Sequence, residues 1–363
     1  HFVTPLPFQT ITKRPVALEM FTLLRDVDMA HLSLSQKADV LVVAPATANT
    51  IAKIAHGMAD NLLTSTVLAT TAPLVIAPAM DADMWANPIT QENVAALRAR
   101  GAVIVGPASG RLASGRVGAG RLVPVEELIA AIRQTLGRGG PLAGRRVTVT
   151  AGGTQEALDP VRHLTNRSSG RMGYALAEAA RDAGAAVRLI HAPTGLPAVH
   201  GVRMEPVRSA ADMEAAVMGA VPETDVLIMA AAPADFRPAQ VAAQKIKKGT
   251  SGGLTLELER TADIVASVGA LPEGRRPRIV VGFAAETEDL LANAAAKLRA
   301  KRLDLMVAND VAATDSGFEV DTNRVILLTP DGGEEPLPLM QKFDVAEQIV
   351  ARVALLWERK EHG

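Results

Sequence analysis

Residues 150–173, TAGGTQEALDPVRHLTNRSSGRMG, combine the residue types that bind phosphate groups. An apolar run ends at Gly152 and Gly153, a polar stretch follows, and a helical pattern begins at Arg171. A strand that opens into such a loop and closes into a helix directs free backbone N–H groups and the positive end of the helix dipole at one point. We therefore predict phosphate or nucleotide binding, with an ordinary strand–helix turn as the alternative. The polar positions are Asp159, Arg162, Asn166, Ser168, Ser169 and Gly170.

More polar groups follow the apolar runs of the second half. Asp235 comes just past one run, and residues 244–253 form a basic, glycine-rich segment that we predict to be a mobile loop. Two lysines four residues apart share one face of a predicted helix. Solvated surface charge is the alternative for every lysine, but their position beside glycine-rich strand ends favours binding of a triphosphate. These lysines are Lys245, Lys247, Lys248, Lys297 and Lys301.

Several classes of protein are disfavoured. The chain has no cysteine, which removes disulfides, thiolate metal sites and thiol nucleophiles. Its net charge of −1 does not point to nucleic acid, and no run of 18 uncharged apolar residues predicts a membrane span. The sequence has no G-x-x-x-x-G-K-[ST] loop. It also lacks a G-x-G-x-x-G fingerprint with an acidic residue after the next strand, so nicotinamide binding is disfavoured.

Alternating strand and helix patterns supply the elements that position these groups. A chain of 363 residues is too long for one core, so we expect two domains, joined by the Gly- and Pro-containing linker 137–144. Helices are expected from near Gln91 to Gly101 and from Pro124 to Gly137. The alternation predicts βαβ units with parallel sheets. The predicted strands are 39–46, 73–80, 102–108, 146–151, 186–192, 226–232, 278–285, 304–310 and 324–329.

The whole chain resembles a bacterial family, the bifunctional phosphopantothenoylcysteine decarboxylase/phosphopantothenate–cysteine ligases of coenzyme A biosynthesis. The second half carries the most specific motifs. They are DPVRHLTNRSSGRMG, AAAPADF, KIKK, ADIV, GFAAET and ANDV, in the family's order and spacing. The resemblance implies two Rossmann-like three-layer α/β domains with mostly parallel sheets, a decarboxylase-like domain at 1–138 and a ligase domain at 142–363.

For the ligase half, the resemblance implies a reaction with CTP and a divalent metal, Mg²⁺. The carboxylate of 4'-phosphopantothenate joins the cytidylyl group with loss of pyrophosphate, and the amine of cysteine then attacks the acyl-cytidylate. Asn166 would hold the acyl-cytidylate, Arg162 would act in its conversion, and Lys245 would contact CTP. Phe283 would belong to the nucleotide site, with plain core packing as the alternative. The remaining nucleotide residues would be Asp235, Ala262, Asp263, Ile264, Val265, Lys297 and Lys301.

For the first half, the resemblance implies decarboxylation with FMN. His31 matches the family's active-site histidine, with a structural role as the alternative. The turn 44–50 matches the flavin-contacting turn, residues 78–85 the substrate-binding loop and residues 109–115 the flap over the product. The flavin contacts would be Thr47, Ala48, Asn49 and Thr50.

Three departures bear on the decarboxylase. Ser114 stands where the family has a proton-donating cysteine, and a hydroxyl is a far weaker acid than a thiol of pKa about 8.5. Asp81 stands where the family has an asparagine that binds the substrate carboxylate. Ionised Asp81 would repel that carboxylate unless its pKa is raised. The first strand with its glycine-rich turn is not found before residue 39, and we expect an N-terminal truncation.

Three functions therefore compete: a bifunctional enzyme, a ligase whose flavin domain is a degenerate scaffold for assembly, and, more remotely, a nicotinamide-dependent reductase. The expected partners are small molecules, namely 4'-phosphopantothenate, cysteine and CTP, without nucleic acid or membrane. The resemblance implies a homo-oligomer with trimers of flavin domains and dimers of ligase domains. It also implies a cytoplasmic location.

Overall fold

The computed structural model describes residues 3–20, 30–247, 254–286, 290–310 and 321–362. The chain divides into two compact units, His1–Leu136 and Gly137–Gly363. Both are α/β units whose main sheets are mostly parallel, so the predicted fold class is confirmed. The domain ranges 1–138 and 142–363 stay predictions, and residues 139–141, which they leave out, belong to the second unit.

The first unit has a parallel sheet in the order β1–β2–β3 with helices on both faces. Ile76 packs with α3 and α6, whereas its neighbour Val75 packs with α7, because successive side chains of a strand point to opposite faces. The elements are α1 (Pro5–Thr12), α2 (Ala30–Gln36), β1 (Leu41–Ala46), α3 (Ala48–Ala55), α4 (Leu62–Ala69), β2 (Leu74–Pro78), α5 (Ala82–Ala86), α6 (Pro88–Ala99), β3 (Val103–Ile104), β4 (Ala108–Arg111), β5 (Val117–Arg121) and α7 (Val125–Leu136).

The second unit begins with a short 3-10 turn, Gly137–Gly139, and closes with a long helix. Its strands are β6 (Arg146–Ala151), β7 (Gln155–Ala157), β8 (His163–Thr165), β9 (Ala186–His191), β10 (Arg203–Pro206), β11 (Val226–Met229), β12 (Phe236–Pro238), β13 (Leu258–Arg260), β14 (Ile279–Glu286), β15 (Leu305–Asp310), β16 (Thr322–Asn323), β17 (Val325–Leu328), β18 (Glu334–Pro336) and β19 (Met340–Gln341). Its helices are α8 (Arg171–Asp182), α9 (Ala210–Ala220), the 3-10 turn Val221–Glu223, α10 (Ile264–Gly269), α11 (Leu290–Ala300) and α12 (Lys342–His362).

The main sheet of the second unit runs β10–β9–β6–β11–β14–β15–β17–β18, and its first six strands are parallel. In order of appearance, those six strands follow the dinucleotide-fold order 3-2-1-4-5-6. The chain moves outward in one direction from β6 and in the other from β11. The carboxyl ends of β6 and β11 therefore border the crevice where open α/β sheets bind ligands.

Helices cover both faces of this sheet. Val147 and Val149 of β6 face α8 and α12, which pack against each other. On the opposite face Leu227 of β11 packs with α9, α10 and α11. Strand β6 is buried along nearly its whole length, which explains its unbroken apolar and β-branched sequence.

Two local predictions need correction. The stretch between Gly153 and Gly170 is not one continuous loop, because β7 and β8 form a short antiparallel hairpin within it. The linker 137–144 is not a free connection either, since Leu142 is buried in the core. A Cβ at Gly137 would lie 1.9 Å from the carbonyl oxygen of Asp182, so the segment packs closely against the end of α8.

Candidate functional site

Glycines shape the strand end where the phosphate-binding motif lies. Gly152, directly after β6, has a φ of 84°, which favours glycine. A Cβ on Gly153 would come within 2.6 Å of the carbonyl oxygen of Asn166. The return of the β7–β8 hairpin therefore closes over the strand end with no room for a side chain.

The first turn of α8 packs equally closely on β6. Gly170, the residue before the helix, has a φ of 76°. A Cβ on Gly173 would lie 2.5 Å from the Cβ of Ala151 and 2.7 Å from the carbonyl oxygen of Thr150. The free N–H groups of α8 are thus held beside the carboxyl end of the central strand, and the binding of an anion there stays a prediction.

A cavity of about 320 Å³ opens at this crevice. Four of the predicted ligase residues line it, namely Asn166, Asp235, Phe283 and Lys297. Phe283 also packs against the hydrophobic core, so the two roles considered for it are compatible. The other lining residues are Ser168, Ser169, Gly170, Arg171, Met172, Gly173, Ala230, Ala231, Ala232, Ala284, Asn309, Asn323 and Lys342.

Asn166 follows β8, and its side chain is fixed across the crevice. Its amide Nδ2 donates to the carbonyl oxygen of Pro233, beyond β11, at 2.9 Å. The side-chain oxygen of Asn166 is then oriented by a backbone group from the neighbouring strand end. The bond links the end of the β7–β8 hairpin to the segment that follows β11.

Arg162 and Lys245 do not line this cavity but lie next to one another in the fold. The guanidinium of Arg162 donates to the carbonyl oxygen of Ile246 at 2.8 Å and, through two of its nitrogens, to Oδ2 of Asp159. Asp159 has no exposed side-chain surface and accepts further bonds from the amides of Val161, Arg162 and Ile246. The Arg162 guanidinium, aided by these amides, holds the pKa of Asp159 well below its usual range although burial opposes this. Asp159 and Arg162 thereby link Ile246 of the KIKK motif to the hairpin loop.

The ADIV motif lies at the beginning of α10 and does not line the cavity. Asp263 caps the helix by accepting from the amide of Ala266 at 3.0 Å, and it pairs with Lys301 at 2.8 Å. Burial acts to raise the pKa of Asp263, but the Lys301 hydrogen bond, the amide and the nearby positive charges lower it overall. Ile264 is buried, Val265 packs against the core, and Ala262 is exposed. Lys248 and the rest of the segment to residue 253 lie outside the described residues.

Three polar residues that line the cavity were not predicted from the sequence as site residues, namely Lys342, Asn309 and Asn323. Lys342 and Asn323 are 7% and 3% exposed. Burial, and secondarily the charge of Arg171, lowers the pKa of Lys342. The Oδ1 of Asn309 is buried without a hydrogen-bond partner among the described residues. The ANDV motif contains Asn309, but no local pattern distinguishes Lys342 from a solvated lysine at a helix start.

In the first unit, the predicted flavin turn forms the N-terminus of α3. Thr47 is the N-cap, and its hydroxyl accepts from the amide of Thr50 at 3.3 Å while lying 3.1 Å from the Thr50 hydroxyl. Ala48 and Asn49 are the first residues of the helix. His31 lies on α2, and its Nδ1 is buried with no partner in the described part of the chain. A buried polar atom without a hydrogen-bond partner is unusual, and the flavin contacts of this turn stay a prediction.

The residues at positions 81 and 114 are in direct contact. The hydroxyl of Ser114 donates to Oδ2 of Asp81 at 2.5 Å. This bond, followed by the bond from the Asp83 amide, lowers the pKa of Asp81. Arg116 lies 4.0 Å from Asp81 and forms a two-pronged ion pair with Asp83. Asp81 is therefore ionised at neutral pH, and the flap is linked to the loop before α5.

Asp81 and Ser114 share a cavity of about 540 Å³ with Arg111, Arg121 and neighbouring backbone. Of the described residues, neither His31 nor the turn at 47–50 lines it. The structure thus brings together the two substituted positions of the decarboxylase half and leaves the histidine and flavin turn outside that cavity.

Two kinds of feature are absent from the described ranges. No group of three or more His, Asp or Glu side chains there could hold a metal ion. Within the same ranges, no helix combines the length and apolarity that crossing a bilayer requires.

Two family models together cover nearly the whole chain. "DNA/pantothenate metabolism flavoprotein C-terminal domain" matches residues 142–356, and "Flavoprotein" matches residues 1–137. The coenzyme A biosynthesis bifunctional protein CoaBC of Bacillus subtilis (strain 168) is 45% identical over 359 residues, which cover 98% of this chain and 87% of the relative. The protein of the same name from Mycobacterium tuberculosis (strain ATCC 25618 / H37Rv) is 47% identical, covering 96% and 86%.

This chain belongs to the family of coenzyme A biosynthesis bifunctional proteins. Its second unit is also similar to a crystal structure of the C-terminal domain of such a protein, with 38% identity, a TM-score of 0.52 and coverage of 61% of this chain and 99% of that one. A mutant of Cab2 in complex with phosphopantothenate-cysteine has a TM-score of 0.50 at 15% identity, covering 66% and 94%, and shares the fold. Membership of this family places a decarboxylase-type and a ligase-type domain on one chain and confirms the predicted resemblance.

Proposed function

We propose that the second unit ligates 4'-phosphopantothenate to cysteine with CTP, through an acyl-cytidylate. The observation that carries the proposal is the cavity between β6 and β11, which gathers Asn166, Asp235, Phe283 and Lys297 at the first turn of α8. A carboxylate is a poor acyl donor, and two anions must be brought together. The reaction therefore needs positive charge and oriented dipoles at one place.

In the first step, an oxygen of the substrate carboxylate attacks the α-phosphorus of CTP and pyrophosphate leaves. The N–H groups of α8 and the ammonium of Lys297 face the accumulating negative charge. Phe283 supplies an apolar surface for the nucleotide. Asn166, fixed by Pro233, holds the mixed anhydride through its side-chain amide.

In the second step, the amine of cysteine attacks the acyl carbon, forms the amide bond and releases CMP. Arg162 and Lys245 would act from the β7–β8 hairpin loop and the KIKK motif, which do not line the described cavity. Asp159 binds Arg162 and the amide of Ile246, so it fixes Arg162 and the backbone next to Lys245. Mg²⁺ would arrive with the nucleotide, since it is usually bound by phosphates and few protein ligands.

We propose further that the first unit decarboxylates the ligation product with FMN. The chain offers a fit for the flavin: the capped N-terminus of α3 presents Thr47–Thr50, and His31 has a buried Nδ1 without a partner among the described residues. FMN, when bound, supplies the two-electron oxidation of the substrate thiol and its reversal. The flap residue Ser114 would deliver the final proton, slowly, because a hydroxyl is a weak acid.

A ligase with a non-catalytic flavin unit is the second candidate, and one observation favours it. Asp81 is held ionised by Ser114 and Asp83, so no raised pKa relieves its repulsion of a substrate carboxylate. Arg116, 4.0 Å away, offsets part of this charge. The reductase alternative receives no support from the sequence fingerprint. The homo-oligomeric state and the cytoplasmic location stay predictions.

The test of the ligase is release of pyrophosphate from CTP in the presence of 4'-phosphopantothenate and Mg²⁺, followed by addition of cysteine. We expect pyrophosphate release without cysteine in the first turnover and amide formation after cysteine is added. ATP serves as the nucleotide control. Absence of pyrophosphate release under saturating CTP would exclude the proposed ligation, whereas release would exclude the reductase.

The test of the decarboxylase uses the Ser114→Cys and Ser114→Cys/Asp81→Asn variants with FMN. We expect decarboxylation to rise in the single variant and further in the double variant, because the donor becomes more acidic and the repulsion is removed. Carbon dioxide release and flavin absorbance are measured together. Bound flavin without carbon dioxide in all variants would favour the non-catalytic scaffold.

A further inference from the structure

Lys342 is a buried lysine of the ligase cavity that has no role in the two reaction steps proposed for this unit. It is 7% exposed, whereas Lys297 in the same cavity is exposed. Its backbone N–H donates to the carbonyl oxygen of Asp321 at 2.9 Å, at the start of α12. Within the described ranges its Nζ has no hydrogen bond, and Asp321, the carboxylate that acts on its charge, is also paired with Arg171. A largely buried lysine that shares its carboxylate with an arginine has little negative charge nearby, which points to an anion that completes the site.

The surroundings of Lys342 are positively charged. Arg171, the first residue of α8, is close enough to contribute to the lowered pKa of Lys342, after the larger effect of burial. Arg171 forms an ion pair with Asp321, so one carboxylate serves two cations. The N-terminal dipole of α8 adds partial positive charge at the same end of the cavity. An entering anion would reverse the effects that destabilise the charged lysine.

Asn309 supplies an independent indication of a ligand. It is 9% exposed, lines the same cavity, and its Oδ1 has no partner among the described residues. Buried polar atoms are nearly always hydrogen-bonded, so this acceptor requires a donor from a bound molecule. A polyphosphate that carries Mg²⁺ satisfies both residues, because its oxygens accept from Lys342 and the metal's retained waters can donate to Asn309.

The position in the fold indicates which phosphate is involved. Lys342 and Arg171 approach from the α8 and α12 face of the sheet, and Lys297 approaches from the α11 side of the same cavity. One phosphate chain that begins at the nucleotide beside Phe283 would extend between them. The phosphate monoester of the acyl substrate is the other source of the same chemistry, but a single phosphoryl group is more compact and less charged than a chain of phosphates.

We propose that Lys342 binds the β- and γ-phosphates of the nucleotide and the pyrophosphate that they become. This inference rests on the proposed CTP-dependent ligation. In the step concerned, a carboxylate oxygen forms a bond to the α-phosphorus, and the bond from that phosphorus to its bridging oxygen breaks. Pyrophosphate leaves with the electron pair, and the Lys342 ammonium stabilises the charge gained by the leaving group.

The test is the Lys342→Met variant, which keeps the length of the side chain and removes its charge. We expect kcat/KM for CTP in acyl-cytidylate formation to fall about 10- to 100-fold, as for a lost charged hydrogen bond. Attack of cysteine on preformed phosphopantothenoyl-cytidylate should be unchanged, because no pyrophosphate takes part in that step. Inorganic pyrophosphate should raise the thermal unfolding temperature of the wild-type protein and have little effect on the variant.

The matched control is Lys360→Met on the same helix, where the lysine is paired with Asp304 at 2.6 Å and lies away from the cavity. It should leave both half-reactions unchanged. Equal slowing of both half-reactions by Lys342→Met would show that the lysine binds the acyl substrate, and would overturn the proposal. The proposal would also be overturned if Lys342→Met left both half-reactions and the binding of pyrophosphate unchanged. Failure of the wild-type protein to use CTP would contradict the proposed function, while pyrophosphate binding would still test Lys342.

Discussion

The side chain of Asn166 in the ligase site is fixed by a hydrogen bond to a neighbouring backbone group. Its amide donates to the carbonyl oxygen of Pro233, and aspartate at this position would place an acceptor against an acceptor. We expect Asn166→Asp to lower ligation about 100-fold or more, comparable to loss of an oxyanion donor.

The Lys245→Gln variant should also abolish ligation without unfolding the protein. Normal turnover in either purified variant would contradict the site assignment, and circular dichroism checks that the fold is retained.

Asp159 is a buried carboxylate that holds Arg162, the other ligase residue of the hairpin loop. Its pKa is lowered in the folded state, so its contribution to stability is present above the unfolded pKa of about 3.9 and is lost as pH falls through the folded value. We expect Asp159→Asn to lower the urea midpoint at pH 7. The difference from the wild-type protein should shrink below pH 4. An equal difference at both pH values would mean that the charge of Asp159 does not stabilise the fold.

At the scale of elements, the seating of α8 on β6 depends on one glycine. A Cβ at Gly173 would lie 2.5 Å from the Cβ of Ala151, so we expect Gly173→Ala to destabilise the second unit by about 1–3 kcal/mol, as for an overpacked core. Ligation should fall as well, because the helix N-terminus moves. Urea unfolding can be followed by Trp357, which is buried in this unit, in a Trp85→Phe background.

Gly219→Ala is the control for this substitution. Gly219 lies in α9 and is exposed, and a Cβ added there would meet no described atom within 4 Å. Alanine is the better helix former, so this variant should stabilise the unit by about 0.5–1 kcal/mol. If both variants changed stability in the same direction, close packing of α8 on β6 would not be the cause.

Element patterns in the sequence predicted much of this fold, for physical reasons. The run RVTVTA is buried as β6, and α8 begins at Arg171 as its helical pattern indicated. The β7–β8 hairpin escaped prediction because each strand has three residues and β8 is largely exposed. Lys342 escaped because it follows β19, which pairs with the distant β16, and no local pattern around it indicates burial. The periodicity of neighbouring residues predicts helices and strands. Contacts between segments that are distant in the sequence decide which polar side chains become buried.

At the scale of the molecule, the two units have separate cores and separate candidate sites. We expect the fragment 137–363, which begins at the packed Gly137, to fold alone and to ligate within about twofold of the full chain, since a domain has its own core. FMN should have no effect on that rate. An unfolded or inactive fragment would show that ligation depends on the first unit.

The pairing of α8 with α12 has a consequence during biosynthesis. The helix that carries the phosphate-binding turn emerges from the ribosome early, yet the helix that covers its apolar side is translated after every described strand of the sheet. Until then the nascent unit exposes the apolar face of α8, a surface to which a chaperone could bind. Completion of the ligase crevice therefore waits until α12 has left the ribosome.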